Sequence, residues 1–222
     1  MSVATRSSAF DPPVDSQDAA FWDERYRVAG YAYGVAPNSF LVAQSARLSP
    51  GMRVLVPGDG EGRNGVWLAE QGMAVTSVDL SGEGCAKARS LARERGVNLQ
   101  VIQADLRTWA WPVGEFDAVA SIFVHFPPHD RTIVHRSARA ALRPGGWVVV
   151  EAFDPRQIEY QKVGHGGGPR DVAMLYDAET LRADFAPVEV EVLEHAIRQL
   201  AEGRLHDGQG AVVRAVFRLP PH

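Results

Sequence analysis

Residues Val54 to Gly65 read V-L-V-P-G-D-G-E-G-R-N-G, a short apolar run passing directly into a glycine-rich turn. Further on, Val75-Thr76-Ser77-Val78-Asp79 forms a second apolar run that ends in a carboxylate. This pairing is what a doubly wound α/β sheet uses to hold an adenosine-containing cofactor. Gly58 and Gly60 carry no Cβ, so the backbone can turn tightly there and approach a ligand. Asp79, at the end of the next strand, can accept hydrogen bonds from both hydroxyls of a ribose.

The loop also discriminates between cofactors. Gly58, Gly60 and Gly62 form G-x-G-x-G, and Gly60, Gly62 and Gly65 form an overlapping G-x-G-x-x-G that starts two residues late for a dinucleotide site. Asp59 and Glu61 lie within the turn, and acidic side chains work against a pyrophosphate seated on bare amides and a helix N-terminus. S-adenosyl-L-methionine carries no phosphate, and its sulfonium and ammonium are cations, so an acidic loop is compatible with it. The expected cofactor is therefore this methyl donor, with a structural turn or a dinucleotide site as the alternatives.

Methyl transfer is an in-line displacement at carbon, in which alignment and exclusion of water supply much of the rate. A soft anionic acceptor needs little help from a base, whereas a hydroxyl or protonated amine needs more. Ser121-Ile122-Phe123-Val124-His125-Phe126-Pro127-Pro128 follows the fourth expected strand, where sheet topology puts a ligand crevice. His125 is the candidate base or acceptor contact there, or else a histidine that hydrogen-bonds loop backbone. Asp105 ends a strand on the ligand side and is expected at the adenine, although it could merely cap a turn. Arg170 could pair with an anionic acceptor or stay solvated. Cys85 falls on the apolar face of a helix, which favours packing over an activated thiol. Trp109 and Trp111 are expected to pack beneath the loop before the fourth strand. The segment lacks the acid-or-Asn, Pro, Pro, aromatic tetrapeptide that amino-methylating nucleic-acid enzymes use. A small-molecule acceptor is expected, and not a nucleic acid.

From Arg53 onward the pattern alternates strand and helix. Strands are predicted at 53–57, 74–78, 98–103, 116–121 and 146–152, and helices at 62–71, 82–95 and 129–142. Asn38 is a plausible N-cap for an earlier helix reaching about Leu48, which Ser49-Pro50-Gly51 ends. Lys162 to Arg170 holds four glycines and a proline and is expected to be a mobile loop. A short helix near 178–185 precedes strands at about 187–196 and 211–219, joined by a hairpin through Glu202-Gly203 and Gly208–Gly210. The expected fold is a doubly wound, Rossmann-like α/β sheet of about seven strands with the last antiparallel. Residues 1–20 read as a flexible arm, and 21–222 as one domain whose segment 21–48 forms an N-terminal lid.

The 222 residues fit one domain, and 45% hydrophobic with 23% charged content is ordinary for a globular protein. A net charge of −4 without a basic run argues against a general nucleic-acid binder. The single cysteine excludes an intramolecular disulfide and a Cys-cluster metal site; no metal is expected. With no membrane-spanning run and no signal-like N-terminus, a soluble cytoplasmic protein is expected.

With these segments placed, the chain resembles the class I S-adenosylmethionine-dependent methyltransferases. Arg53 to Gly58, Trp67-Leu68-Ala69-Glu70-Gln71-Gly72 and Val78-Asp79-Leu80-Ser81 are similar to the thiopurine and halide/thiol branch, as is Trp22-x-x-x-Tyr26 with a later aromatic at Tyr33. Tyr33-Gly34-x-x-Pro37-Asn38 and Gly58-x-Gly60-Glu61-Gly62-Arg63-Asn64 resemble the tellurite-resistance branch. The resemblance implies Gly58 and Gly60 under the methionine part of the cofactor, Asn64 among the cofactor-binding residues, Asp79 on the ribose and Leu80 against the adenine. It further implies Asp105 on the adenine amine, Leu106 against the ring and Ser121 beside the methionine end. Trp22, Tyr26 and Tyr33 would close over the cofactor and face the acceptor. Two departures stand out: Val56 replaces the acid many of these enzymes carry, and no arginine lies near Ala120, as the thiopurine type requires. The implied acceptor is a soft nucleophile such as a thiol, or a selenium or tellurium species, with an O- or N-methyltransferase using His125 as base, or a non-catalytic cofactor binder, as alternatives.

Overall fold

Val54 and Val56 project to one side of strand β1 (Arg53–Pro57) and Leu55 to the other, and all three are buried. A strand apolar on both faces needs cover on both, and helices supply it. In the computed structural model, which describes residues 19–164 and 166–221, β1 lies inside a seven-stranded sheet. The sheet order is β3 (Leu99–Gln103), β2 (Ala74–Asp79), β1, β4 (Phe116–Ile122), β5 (Leu142–Phe153), β7 (His206–Arg218), β6 (Glu189–Glu202). β7 runs antiparallel to both of its neighbours, while the pairs β1–β2, β2–β3, β1–β4 and β4–β5 are parallel.

On one face α5 (Pro128–Ala140) and α7 (Ala178–Phe185) bury Val134, Ala138, Leu181 and Phe185 against Leu55, Val119, Val148 and Val150. On the other, Phe40 and Leu41 of α2 (Ser39–Gln44) and Leu68 of α3 (Arg63–Glu70) pack on Val54, Val56, Ala120 and Val149. Asn38 caps α2 as expected, its Oδ1 accepting from the amides of Phe40 and Leu41 at 3.0 Å. α4 (Gly82–Arg95) starts on the Ser81 hydroxyl and stops at Gly96 in the left-handed region, φ +67°. Cys85 is buried on the inner face of α4, and burial pushes its thiol up to about 11, so it packs. Trp109 and Trp111 pack against the α5 side of the core.

The departures from the sequence reading have local causes. β5 begins at Leu142, which pairs with Phe116, and a shift of register carries Arg143–Gly146 as an irregularity before Trp147 pairs with Ala118. β6 and β7 are longer than expected and turn at Gly203–Leu205 alone. Gly208 and Gly210 are not in the turn; they lie inside β7, where a Cβ on Gly210 would meet Leu200 Cδ1 at 2.6 Å. A short helix α6 (Gln157–Lys162) was not expected. Gln161 of α6 donates to the carbonyls of Gly167, Gly168 and Pro169, at 2.8–3.2 Å, and so ties down the glycine-rich segment. Most of the predicted arm lies outside the described residues; its last two, Ala19 and Ala20, open helix α1 (Ala19–Tyr26). No helix among the described residues is long and apolar enough to cross a membrane.

Candidate functional site

The C-terminal ends of β1, β2 and β4 open into a cavity of about 640 Å³, within the usual range for small-ligand sites. α1 and the residues after it roof it. Trp22 stacks on Tyr26, with ring centroids 5.8 Å apart, and Tyr26 meets Tyr33 edge-on at 6.2 Å. The Arg25 guanidinium donates to the Tyr33 hydroxyl at 3.0 Å. Asp23 fixes α1 to the start of α4, accepting from Ser81 Oγ at 2.5 Å and from the Glu83 amide at 3.2 Å.

The glycine turn fits a closely seated ligand beneath this roof. Gly58 (φ +64°) and Gly60 (φ +57°) take a backbone conformation that side chains disfavour. A Cβ on Gly58 would meet Val124 Cγ2 at 2.7 Å, and one on Gly60 would meet the Tyr26 hydroxyl at 2.5 Å. Asp79 lines the cavity, its Oδ2 accepting from the Gly60 amide at 2.7 Å and its Oδ1 from the Ser81 amide at 2.9 Å. Burial pushes its carboxyl up to about 6 despite these hydrogen bonds.

The two acids within the turn are tethered away from a free position. Asp59 accepts from Ser77 Oγ at 2.9 Å and the Gly65 amide at 3.3 Å, and burial raises its carboxyl to about 7. Glu61 accepts from the amides of Ala32 and Tyr33 and pairs with Lys87 at 2.9 Å. Both still contribute to the cavity wall, so three carboxyl groups surround it on this side. That electrostatic setting suits a cationic ligand and opposes a pyrophosphate.

Of the residues singled out from sequence, Trp22, Tyr26, Tyr33, Gly58, Asn64, Asp79, Leu80, Asp105, Leu106, His125 and Arg170 line one cavity. Gly60 is beside it, under Tyr26. Ser121 is not: it is buried within β4 opposite Val150, and the wall begins one residue later at Ile122. Asn64 is at the wall, but its Oδ1 accepts from the Asn38 amide at 2.9 Å and so supports the entry to α2. Asp105 both lines the cavity and turns the chain, because its carboxylate holds the Arg107 amide and guanidinium. That pairing keeps its carboxyl below the usual range. Arg170 is exposed at the rim.

His125 is the main correction. Met174 O lies 2.8 Å from Nδ1, and Nε2 accepts from the Phe153 amide at 3.1 Å, so both ring nitrogens are committed to backbone. Burial holds the ring neutral, with its pKa lowered to about 4. A base needs a free lone pair toward its proton donor, and this imidazole has none to offer. It ties the loop after β4 to β5 and to the turn at Val172–Met174.

Several wall residues escaped the sequence reading. Phe123 has φ +56°, unusual for a bulky residue, and stacks on Phe153 at 4.6 Å. Arg63 and His206 line the far end beside Tyr33. Glu202 sits behind them, accepting from Arg63 at 2.9 Å and Arg198 at 2.8 Å, with His206 Nδ1 at 3.4 Å. Burial pushes the Glu202 carboxyl up, but these cationic and hydrogen-bonding partners outweigh it and hold the group at about 2. Asn38, Arg198 and Arg214 converge in the same way on Glu151, which is fully buried. The readable signal for this network was a Glu and a His flanking a three-residue turn.

Comparison with known proteins agrees with this geometry. Residues 54–146 match a family described as Methyltransferase domain. A ubiquinone biosynthesis O-methyltransferase of Erwinia tasmaniensis is 33% identical over 109 residues, 48% of this chain and 44% of that protein. A phosphatidylethanolamine N-methyltransferase of Cereibacter sphaeroides is 30% identical over 134 residues, 59% of this chain and 66% of that one. The chain spans less than half the length of several curated relatives it matches. Among solved structures, one described for conversion of a disulfide bond into a thioacetal group during echinomycin biosynthesis superposes with a TM-score of 0.72 at 21% identity, covering 92% of this chain and 93% of that one. TehB from Haemophilus influenzae gives 0.68 at 16% identity, with 90% and 66% covered. Residues 54–146 thus resemble a methyltransferase domain, and the chain around them has a Rossmann-like α/β methyltransferase fold.

Proposed function

We propose that the chain transfers a methyl group from S-adenosylmethionine to a small-molecule acceptor, a soft nucleophile of the thiol type. The observation that carries this reading is the cavity itself, with a glycine turn, a ribose-height carboxylate at Asp79 and an aromatic roof on one continuous surface. When bound, the cofactor supplies an electrophilic methyl carbon on a sulfonium. Asp79 would hold the ribose, Leu80 and Leu106 would flank the adenine, and the Gly58–Gly60 backbone would take the methionine end. Asp59, Glu61 and Asp79 favour the cationic cofactor over its neutral product.

The acceptor would lie against Tyr33, Phe123 and Phe153, an aromatic and polarisable wall that fits sulfur better than a strongly hydrated oxyanion or ammonium. The enclosed roof and the net charge of −4 favour a small molecule over a nucleic acid. One buried cysteine suits action in the reducing cytoplasm. An O- or N-methyltransferase is the second reading, and the relatives' printed activities support it. Its base would not be His125.

Calorimetry with S-adenosylhomocysteine and NAD, followed by methyl turnover over thiols, halides, oxyanions, phenols and amines, tests the reading. Binding of S-adenosylhomocysteine at least tenfold tighter than NAD, with thiols the best acceptors, is expected. Equal affinities would remove the methyltransferase reading, and turnover confined to phenols or amines would promote the second.

A further inference from the structure

His206 faces its pairing partner Glu202 directly across the β6–β7 hairpin. The contact runs from Nδ1 to Glu202 Oε2 at 3.4 Å. A carboxylate at Nδ1 fixes the ring proton on that nitrogen and leaves the Nε2 lone pair exposed on the other side. Nε2 makes no hydrogen bond among the described residues, and the ring forms part of the cavity wall. Tyr33, Phe123 and Phe153 surround the ring, with centroids 4.6, 4.8 and 5.2 Å away. Gly167 closes over its edge, where a Cβ would meet His206 Cδ2 at 3.1 Å. Among the described residues, the other carboxylate–histidine pairs, Asp184–His135 and Asp154–His195, do not line the cavity.

We propose that His206 Nε2 takes the proton from the acceptor's nucleophilic atom, with Glu202 as the positioning residue that sets its tautomer. The acceptor therefore enters as a neutral X–H group, a thiol under the function proposed above, on which this inference rests. The acceptor lone pair forms the bond to the methyl carbon. The carbon–sulfur bond of the sulfonium breaks, with its electron pair left on sulfur. The acceptor's proton passes to Nε2 and from there to solvent.

The charged groups around the ring fit this cycle. Burial holds His206 neutral, and Arg63 and Arg25 act in the same direction, while Glu202 opposes them. His125 also faces it and is itself neutral, and the Tyr33 hydroxyl is raised by burial and stays protonated. The ring thus waits as a free base, and the imidazolium formed during turnover has Glu202 beside it.

The test compares wild type, His206→Gln and His206→Ala on two acceptors at neutral pH: an alkyl thiol that is still protonated, and an electron-poor aryl thiol that is already ionised. The alkyl thiol should lose about 10²–10⁴-fold in kcat/KM, and the aryl thiolate only a few-fold. Added imidazole should restore alkyl-thiol turnover to His206→Ala. Independently of any variant, ¹⁵N NMR of histidine-labelled wild type with S-adenosylhomocysteine should show Nδ1 protonated and Nε2 bare. Equal losses on both acceptors, absence of imidazole rescue, or an Nε2–H tautomer would each overturn the proposal. If thiols fail and phenols react, the soft-acceptor reading fails. The same comparison of ionised and protonated phenols then decides on His206.

Discussion

Glu61 of the glycine turn accepts the backbone N–H of Ala32 at 2.7 Å, fastening the segment that carries Tyr33 to the loop at the floor of the cavity. One carboxylate therefore couples the roof to the floor of the site, and Lys87 holds it from the other side at 2.9 Å. Removing it leaves two amides without an acceptor, at about 1.5–3 kcal/mol for hydrogen bonds to a charged group. Glu61→Ala should weaken S-adenosylhomocysteine about tenfold or more through a loosened roof. Calorimetry checks this, and an unchanged Kd would separate the roof from binding.

Asp79 is expected to accept from both ribose hydroxyls with the lone pairs that Gly60 and Ser81 leave open. Asp79→Ala should cost about 1.5–3 kcal/mol of cofactor affinity, tenfold or more. Because its carboxyl also holds two local amides, circular dichroism should accompany the titration. Full affinity in a folded variant would place the ribose elsewhere.

The raised carboxyls make cofactor binding depend on pH, with a definite sign. Asp79 titrates at about 6 and Asp59 at about 7, both above the ordinary 3.8. The folded empty protein thus binds these protons more tightly than the unfolded chain, so their titration lowers its stability as pH rises from about 4 to 7. A cationic ligand prefers the ionised site, so affinity for S-adenosylmethionine should fall as pH drops from about 7 to 5. S-adenosylhomocysteine, with a neutral sulfur, should fall less. Parallel titrations of the two ligands read this, and identical slopes would show that the carboxyls do not sense the sulfonium.

How far the sequence foresaw the site follows from what kind of signal each residue leaves. β1, β2 and α4 were legible because apolar runs, glycines and a helical apolar face are local features, and they position Gly58, Gly60 and Asp79. Ser121 was misplaced because side chains alternate across β4, and a one-residue error puts the neighbour in the wall. Glu61 was read only as an acid within the turn, since nothing local shows that Ala32 and Tyr33 arrive above it. His206 was missed for a similar reason: beyond the Glu and His flanking a short turn, its role depends on a hairpin register and on strands far away in sequence. Phe123 acquires its place from a positive φ that no composition rule signals for a phenylalanine.

His125 should behave as a tie and not as a base. Replacing it by Leu leaves the Met174 carbonyl and Phe153 amide unpaired, at about 1–3 kcal/mol each when buried. Denaturant unfolding should show that loss. His125→Leu should also keep whatever acid limb the kcat/KM profile has, whereas a lost limb would restore His125 as the base.

The last prediction concerns the contact between floor and roof at Gly60. Its φ of +57° costs any other residue about 1–2 kcal/mol, and a Cβ there would stand 2.5 Å from Tyr26 Oη and 3.0 Å from Cζ. Gly60→Ala must therefore push Tyr26 away, and Trp22, stacked on Tyr26, should move with it. The expected result is a shift in tryptophan fluorescence and more than tenfold weaker S-adenosylhomocysteine, since about 1.4 kcal/mol is a factor of ten. Adding Tyr26→Phe deletes the nearest clashing atom but leaves the strained φ and the tight ring contact. The double variant should regain part of the affinity, not all of it. Full recovery would mean that backbone strain at Gly60 is negligible. No recovery would mean that the turn, and not the roof, is what the added methyl disrupts.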